Sequence, residues 1–227
     1  MKKKAVVSAV VPAYNEEQRI GSTLKALRRI REVDEIIVVD DGSKDTTAQQ
    51  ARRYADCVVS LPRNVGKGEA INQGVNYATG TVFLFIDADL KEHARLCGAL
   101  LEPVLKGESD MTIARFPASQ KKGGFGLVKG LARSGVRCLT GYHLEAVLSG
   151  QRAVTRELMT HIGRAFPGFG VEVGMTVRAL KNGYSVKEIP LPMNHRETGR
   201  DLKGFLHRGK QFVSILKTLI HLWRQPA

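Results

Sequence analysis

Along its first half the chain alternates short, unbroken apolar runs with longer stretches in which apolar residues recur every three or four positions. Short apolar runs bounded by turn-forming residues read as strands buried on both faces, and the periodic stretches read as helices. The alternation therefore predicts repeated βα units around a mainly parallel sheet. Strands are predicted at residues 5–11, 35–39, 57–60 and 82–86, with helices at about 18–31, 45–54 and 67–78. The second half is less regular: a helix over about 92–105, a strand at 111–114, a helix over about 127–139 and a strand around 185–189. The basic, glycine-rich stretch 119–126 reads as a loop near a ligand, and a further helix opens at the glycine-rich turn 168–174. Residues 202–223 close the pattern as an apolar and basic helix.

With 227 residues and 43% hydrophobic content, one large domain is expected rather than two. Within it, residues 1–115 form the more regular half, 116–200 a second half, and 201–227 the terminal basic amphipathic helix. The formal net charge is +13, and it is unevenly placed. No acidic residue lies between Asp110 and Glu145, whereas Arg115, Lys121, Lys122, Lys129, Arg133 and Arg137 do. An anionic partner is expected there and along the last helix. A nucleic-acid-binding α/β domain is the alternative class. The aromatic content of 6% and the lack of a reading helix or stacking motif count against it.

Cys57, Cys97 and Cys138 are isolated in sequence, which suits a reducing compartment without a disulfide framework. Met1-Lys2-Lys3-Lys4 and the apolar run after it resemble a leader, but the run is short and passes directly into a loop motif. It is read as the first strand, and cytoplasmic residence is the expectation.

Four strand ends carry candidate chemistry. The run 82–86 delivers Asp87-Ala88-Asp89, whose two carboxylates can share a divalent cation, or divide a cation and a ribose hydroxyl between them. Pro12-Ala13-Tyr14-Asn15-Glu16 follows the first strand and can wrap a planar base. Asp40-Asp41-Gly42-Ser43 follows the second and offers a carboxylate to a base or ribose. Asn64-Val65-Gly66-Lys67-Gly68 opens a helix whose N-terminus and lysine suit a diphosphate.

In this order, each after a strand, the four motifs resemble those of family-2 glycosyltransferases of the GT-A fold, which use nucleotide-diphosphate sugars. The resemblance implies that the loop at Pro12, Ala13, Tyr14, Asn15 and Glu16, together with Asp41, holds the nucleoside. It implies further that Asp89, with Asp87 close by, holds Mg2+ or Mn2+ on the diphosphate, and that Asp87 and Ala88, with Gly66 and Lys67, also line the nucleotide sugar. A divalent cation would neutralise the charge that develops on the leaving nucleotide.

The second half narrows the resemblance. Leu148-Ser149-Gly150-Gln151-Arg152-Ala153 and Gly170-Val171-Glu172-Val173-Gly174 are similar to stretches of glucosyl-3-phosphoglycerate synthases, and a Val-Glu pair in a similar setting occurs in dolichyl-phosphate glucose synthases. In the phosphoglycerate group a histidine completes the metal site, and His195 matches it. Lys91 stands where dolichyl-phosphate mannose synthases carry a glutamine.

Asp89, Glu172 and Arg152 are thus the expected catalytic residues. Glu172 is a general base if the acceptor is a hydroxyl and the reaction inverts. It instead orients the sugar or pairs with Arg152 if the acceptor is a phosphate or configuration is retained. Lys121, Lys122, Ser149, Gly150, Gln151, Arg196 and Arg200 are expected to meet a phosphate-bearing acceptor. A polyprenyl phosphate at the inner face of the membrane leads, with a soluble phosphorylated compound such as 3-phosphoglycerate as the alternative. The donor is a UDP- or GDP-sugar. The last helix can lie on an anionic membrane, or pack on the domain body or on a second copy in a homodimer.

Overall fold

The computed structural model describes residues 5–117, 126–164, 168–193 and 202–224, leaving aside the side chains of residue 169 and residues 202–208. The apolar runs become strands β1 (Val7–Ala13), β2 (Glu35–Asp40), β3 (Cys57–Ser60), β4 (Val82–Phe85), β5 (Met111–Arg115), β6 (Arg152–Thr155) and β7 (Val186–Pro190). They pair in the order β3-β2-β1-β4-β6-β5-β7. β1 runs parallel to β2 and β4, β2 to β3, and β5 to β7, while β6 is antiparallel to both of its neighbours.

Side chains alternate across the pleat, and here both sets are buried. Val7, Ala9, Val11, Ile36, Val38, Val82 and Leu84 face one core; Val10, Ile37, Val39, Phe83 and Phe85 face the other. Burial on both sides is why these strands read as continuous apolar runs rather than as alternating ones. The first face is covered by α1 (Ile20–Leu27), α2 (Thr47–Ala51), a 3-10 segment at Lys91–Leu100 and α4 (Leu101–Leu105). The second is covered by α3 (Lys67–Tyr77), α6 (Arg156–Ile162) and α7 (Val171–Lys181).

A third core lies outside the second layer. Helix α5 (Leu127–Thr140) contributes Ala132 and Val136, and α8 (Leu202–Arg224) contributes Ile215, Leu219 and Leu222. Both pack on Val173, Val177 and Leu180 of α7, which is therefore buried on two faces. At about 1.5–3 kcal/mol for each fully buried large apolar side chain, the three from α8 are enough to hold it on the domain.

The architecture expected from the sequence, a mainly parallel sheet flanked by helices with a basic amphipathic helix after it, is the one observed. Two local readings are corrected. β6 was not anticipated, because its four residues start with a charged Arg152 that only tertiary hydrogen bonds allow to be buried. The helix expected over 92–105 is a 3-10 segment followed by the single short helix α4. Its entry is fixed by Thr23, whose hydroxyl donates to the Ala88 carbonyl (2.8 Å) and accepts from the Lys91 amide (2.8 Å). No helix among the described residues is long and apolar enough to cross a membrane.

Candidate active site

From β1 the chain moves to β2 and β3 on one side, then returns to place β4 on the other. Adjacent strands whose connections leave in opposite directions open a crevice at their carboxyl ends, and ligands bind there in open α/β sheets. All four motifs border that edge. Pro12 and Ala13 are the last residues of β1, paired with Val39 and Asp40, rather than part of the loop.

Beyond them, the loop is laced to the one after β2. The Asn15 amide donates to Ser43 Oγ (2.9 Å), Asn15 Oδ1 accepts from the Lys44 amide (2.9 Å), and the Glu16 amide donates to Thr47 Oγ1 (2.7 Å). Asn15 takes a left-handed conformation (φ 54°), which asparagine tolerates better than most residues. The Glu16 carboxylate bridges to Arg19 at 2.6 Å. Tyr14, between β1 and Asn15, is left 42% exposed.

Asp41 has backbone partners in the neighbouring loop. Its carboxylate is 4% exposed and accepts from the backbone amides of Val65 (2.8 Å) and Gly66 (2.9 Å). It thereby shapes the turn that opens α3. Asp40 accepts from the Ser43 amide at 3.2 Å and closes its own turn.

The centre of the crevice is a charge cluster assembled from four separate segments. Lys67, at the first turn of α3, places Nζ 2.7 Å from Asp87 Oδ1 and 2.9 Å from Glu172 Oε1. Gln151 Nε2 donates to the other oxygen of Asp87 at 2.6 Å, and Ser149 Oγ donates to Gln151 Oε1 at 3.2 Å. A Cβ on Gly150 would collide with Lys67 Nζ and lie 2.9 Å from both Asp87 carboxylate oxygens, so glycine here is what lets the cluster close. Burial alone would lower the Lys67 pKa, but the carboxylates of Asp87 and Glu172 outweigh it and raise it above the usual lysine value. Asp89 differs from Asp87. It is half-buried and has no hydrogen bond or ion pair among the described residues.

Arg152 stands behind this cluster, 1% exposed. Its guanidinium donates to the carbonyls of Ser149 (2.9 Å) and Val147 (2.6 Å) and to Thr176 Oγ1 (2.9 Å). Thr176 Oγ1 in turn donates to the Glu172 carbonyl at 2.8 Å. Burial pushes the Arg152 pKa down to about 10, against the opposing pull of Glu172 and Glu188. The pairing with Arg152, one of the alternatives offered for Glu172, is not the contact seen here: the Glu172 carboxylate is bridged to Lys67. Arg152 braces the 147–149 segment against the first turn of α7.

Lys121, Lys122, His195, Arg196 and Arg200 lie outside the described residues. Among the described residues no group of three or more His, Cys, Asp or Glu side chains is arranged to hold a metal. Asp87 and Asp89 stand as an oxygen-donor pair of the hard type that Mg2+ and Mn2+ prefer. Ser149, Gly150 and Gln151 enter the site through Asp87. Sequence reasoning missed Thr23 and Thr176, single hydroxyls with no motif around them.

Residues 8–146 match the family model described as "Glycosyl transferase family 2". The chain is 30% identical over 98% of its length to the uncharacterized protein MJ1222 of Methanocaldococcus jannaschii, covering 93% of that protein. It is 33% identical over 75% of its length to the glucosyl-3-phosphoglycerate synthase of Mycolicibacterium paratuberculosis, of which it spans only 59%. Among solved structures, the glucosyl-3-phosphoglycerate synthase of Mycobacterium tuberculosis in complex with Mn2+, UDP and glucosyl-3-phosphoglycerate superposes with a TM-score of 0.82. That match has 29% identity and covers 98% of this chain and 81% of the other.

Proposed function

The chain belongs to glycosyl transferase family 2, and on that premise we propose that it moves a hexosyl group from a UDP-sugar to a soluble phosphorylated acceptor of the 3-phosphoglycerate type. The observation that carries the reading is the Asp87–Lys67–Glu172 cluster at the switch point of the sheet, with Asp89, which has no partner among the described residues, close by in sequence. UDP and the phosphoglycerate acceptor are favoured because a solved relative with the same fold was crystallised with UDP, Mn2+ and glucosyl-3-phosphoglycerate.

Asp89 and Asp87 would hold the Mg2+ or Mn2+, with His195 as a third candidate ligand. The cation would supply Lewis-acid neutralisation of the leaving diphosphate. Lys67 sits at the N-terminus of α3, where the helix dipole and free amides also favour an anion, so its ammonium and that helix end would hold the diphosphate oxygens. Tyr14 would stack on the base above a loop fixed by Asn15 and Glu16.

In the transfer, the bond between the anomeric carbon and the diphosphate oxygen breaks and one from that carbon to the acceptor oxygen forms. The acceptor hydroxyl loses its proton, to Glu172 in an inverting reaction or to the departing diphosphate oxygen in a retaining one, and UDP departs. Glu172, held by Lys67 and by its place on α7, would orient the sugar. It would take the acceptor proton only in an inverting reaction. Ser149, Gly150 and Gln151, and the basic residues Lys121, Lys122, Arg196 and Arg200, are the proposed acceptor side.

A polyprenyl phosphate is the second reading, favoured by an exposed apolar and basic face on α8. The two are separated by incubating the protein with radiolabelled UDP-glucose and Mn2+ plus either 3-phosphoglycerate or a polyprenyl phosphate, then partitioning between water and organic solvent. Acceptor-dependent label in an anionic water-soluble product is expected. Label that moves only into the organic phase would overturn the soluble-acceptor reading, and no transfer to either acceptor would overturn both.

A further inference from the structure

Helix α8 carries two apolar stripes. One, made of Ile215, Leu219 and Leu222, is buried against α5 and α7. The other, made of Val213, Leu216, Ile220 and Trp223, follows a three-four-three spacing on the outside of the helix, with these residues 49%, 38%, 42% and 73% exposed. A packed surface helix needs one apolar stripe, so the second calls for another apolar phase.

The surroundings of the outer stripe are basic. Lys210, Lys217 and Arg224 are exposed, and on a helical projection they run along one flank of it. No Asp or Glu occurs in Leu202–Arg224. The adjoining α5 also has no acidic residue, and it exposes Lys129, Arg133 and Arg137.

We propose that this face of α8 docks the protein on the surface of an anionic bilayer, the outer stripe entering the acyl boundary and the flanking basic residues meeting the headgroups. A second copy of the chain fits less well. At 1.5 Å per residue the stripe from Val213 to Trp223 is ~15 Å long, and at a helix width of about 10 Å it offers on the order of 150 Å². Stable protein pairs bury about 800 Å² on each partner. Pairing two such helices would also set basic flanks together with no acid in either helix to answer them. An anionic lipid surface satisfies the apolar stripe and the charge at once.

The docking face is coupled to the site. A Cβ on Gly170 would collide with Thr218 of α8, so the helix lies directly on the turn that precedes Glu172. Bilayer binding would therefore act on a helix whose buried side presses on that turn, whichever acceptor is used.

Trp223 is the one tryptophan in the chain, so its fluorescence reports on this face. The full chain is titrated with vesicles of phosphatidylcholine alone and of phosphatidylcholine mixed with phosphatidylglycerol. A blue shift of Trp223 emission with the anionic vesicles only, weakened by salt, is expected. Each basic residue near the surface contributes about a fivefold factor in partitioning, so the double variant Lys217→Gln, Arg224→Gln should bind roughly 25-fold more weakly. The variant Ile220→Ser, which changes an exposed side chain, should lose the shift while keeping its circular dichroism. Absence of a shift with anionic vesicles would overturn the proposal. So would a blue shift without vesicles that grows with protein concentration, which would assign the face to a second copy instead.

Discussion

Lys67→Met tests the electrostatics of the central cluster most directly. In the native protein one ammonium lies 2.7 Å from Asp87 Oδ1 and 2.9 Å from Glu172 Oε1. Those two oxygens therefore face each other across roughly 5 Å, where two unit charges at an effective dielectric of about 20 repel by ~3 kcal/mol. The side chains of Lys67, Asp87 and Glu172 are 30%, 24% and 12% exposed, so water screens part of this. A loss of about 1–2 kcal/mol at neutral pH is the expected net effect.

The pH dependence has a definite sign. Lys67 has a raised pKa, so its stabilisation is complete below the usual lysine value of 10.5 and fades only at more alkaline pH. In the variant, two like charges lack their cation, and one carboxyl should bind a proton more readily. The deficit should therefore shrink as pH falls into the mildly acidic range. Mn2+ should also stabilise the variant more than the wild type, because Asp87, one of its two proposed carboxylate ligands, then meets it without the Lys67 ammonium competing for Oδ1. Urea denaturation at neutral and mildly acidic pH, with and without Mn2+, measures both effects. A variant as stable as the wild type at neutral pH, with no larger response to Mn2+, would refute the reasoning.

Three further outcomes follow from the same geometry. Asp89→Asn should abolish Mn2+-dependent UDP binding in a calorimeter while leaving the denaturation midpoint nearly unchanged, since Asp89 has no side-chain partner among the described residues. Arg152→Lys keeps the charge but loses the planar fork, leaving buried carbonyls at Val147 or Ser149 unpaired; denaturation should show a loss of about 2–4 kcal/mol. Glu35→Gln should flatten the acid side of the stability profile. Burial tends to raise the Glu35 pKa, but hydrogen bonds from Ser8, Thr79 and Gly80 outweigh it and bring it below the usual 4.5, so the stability it gives is present above that pH and is lost as pH falls through the lowered value.

Most of the fold was legible because it rests on local chemistry. Strands buried on both faces must be continuously apolar, and the runs at β1, β2, β3 and β4 were located to within two or three residues. Helix ends were less legible: the stretch 45–54 holds only the short α2, because Asp45 closes on Thr47 and consumes the first turn. β6 was hidden for a different reason. Arg152 reads as a surface residue in any single-strand pattern, and its burial depends on Val147, Ser149 and Thr176, the last of which lies on a helix formed later in the chain.

The site divides along the same line. Each strand-end motif could be found, since its residue types are fixed by local turn and helix-cap chemistry. What each side chain bonds to could not, because the partners are far apart in sequence: Lys67 and Glu172 are separated by 105 positions. From sequence, Glu172 was open to three readings, a general base, a group that orients the sugar or a partner of Arg152, and none of them involved Lys67. In the structure its carboxylate answers Lys67 while its carbonyl is tied through Thr176 to Arg152. The charge at the crevice and the brace behind it thus meet in one residue. A change that loosens α7, whether at Arg152, at Thr176 or where Thr218 of α8 presses on Gly170, should also displace Glu172 from Lys67 and alter the site without touching a ligand.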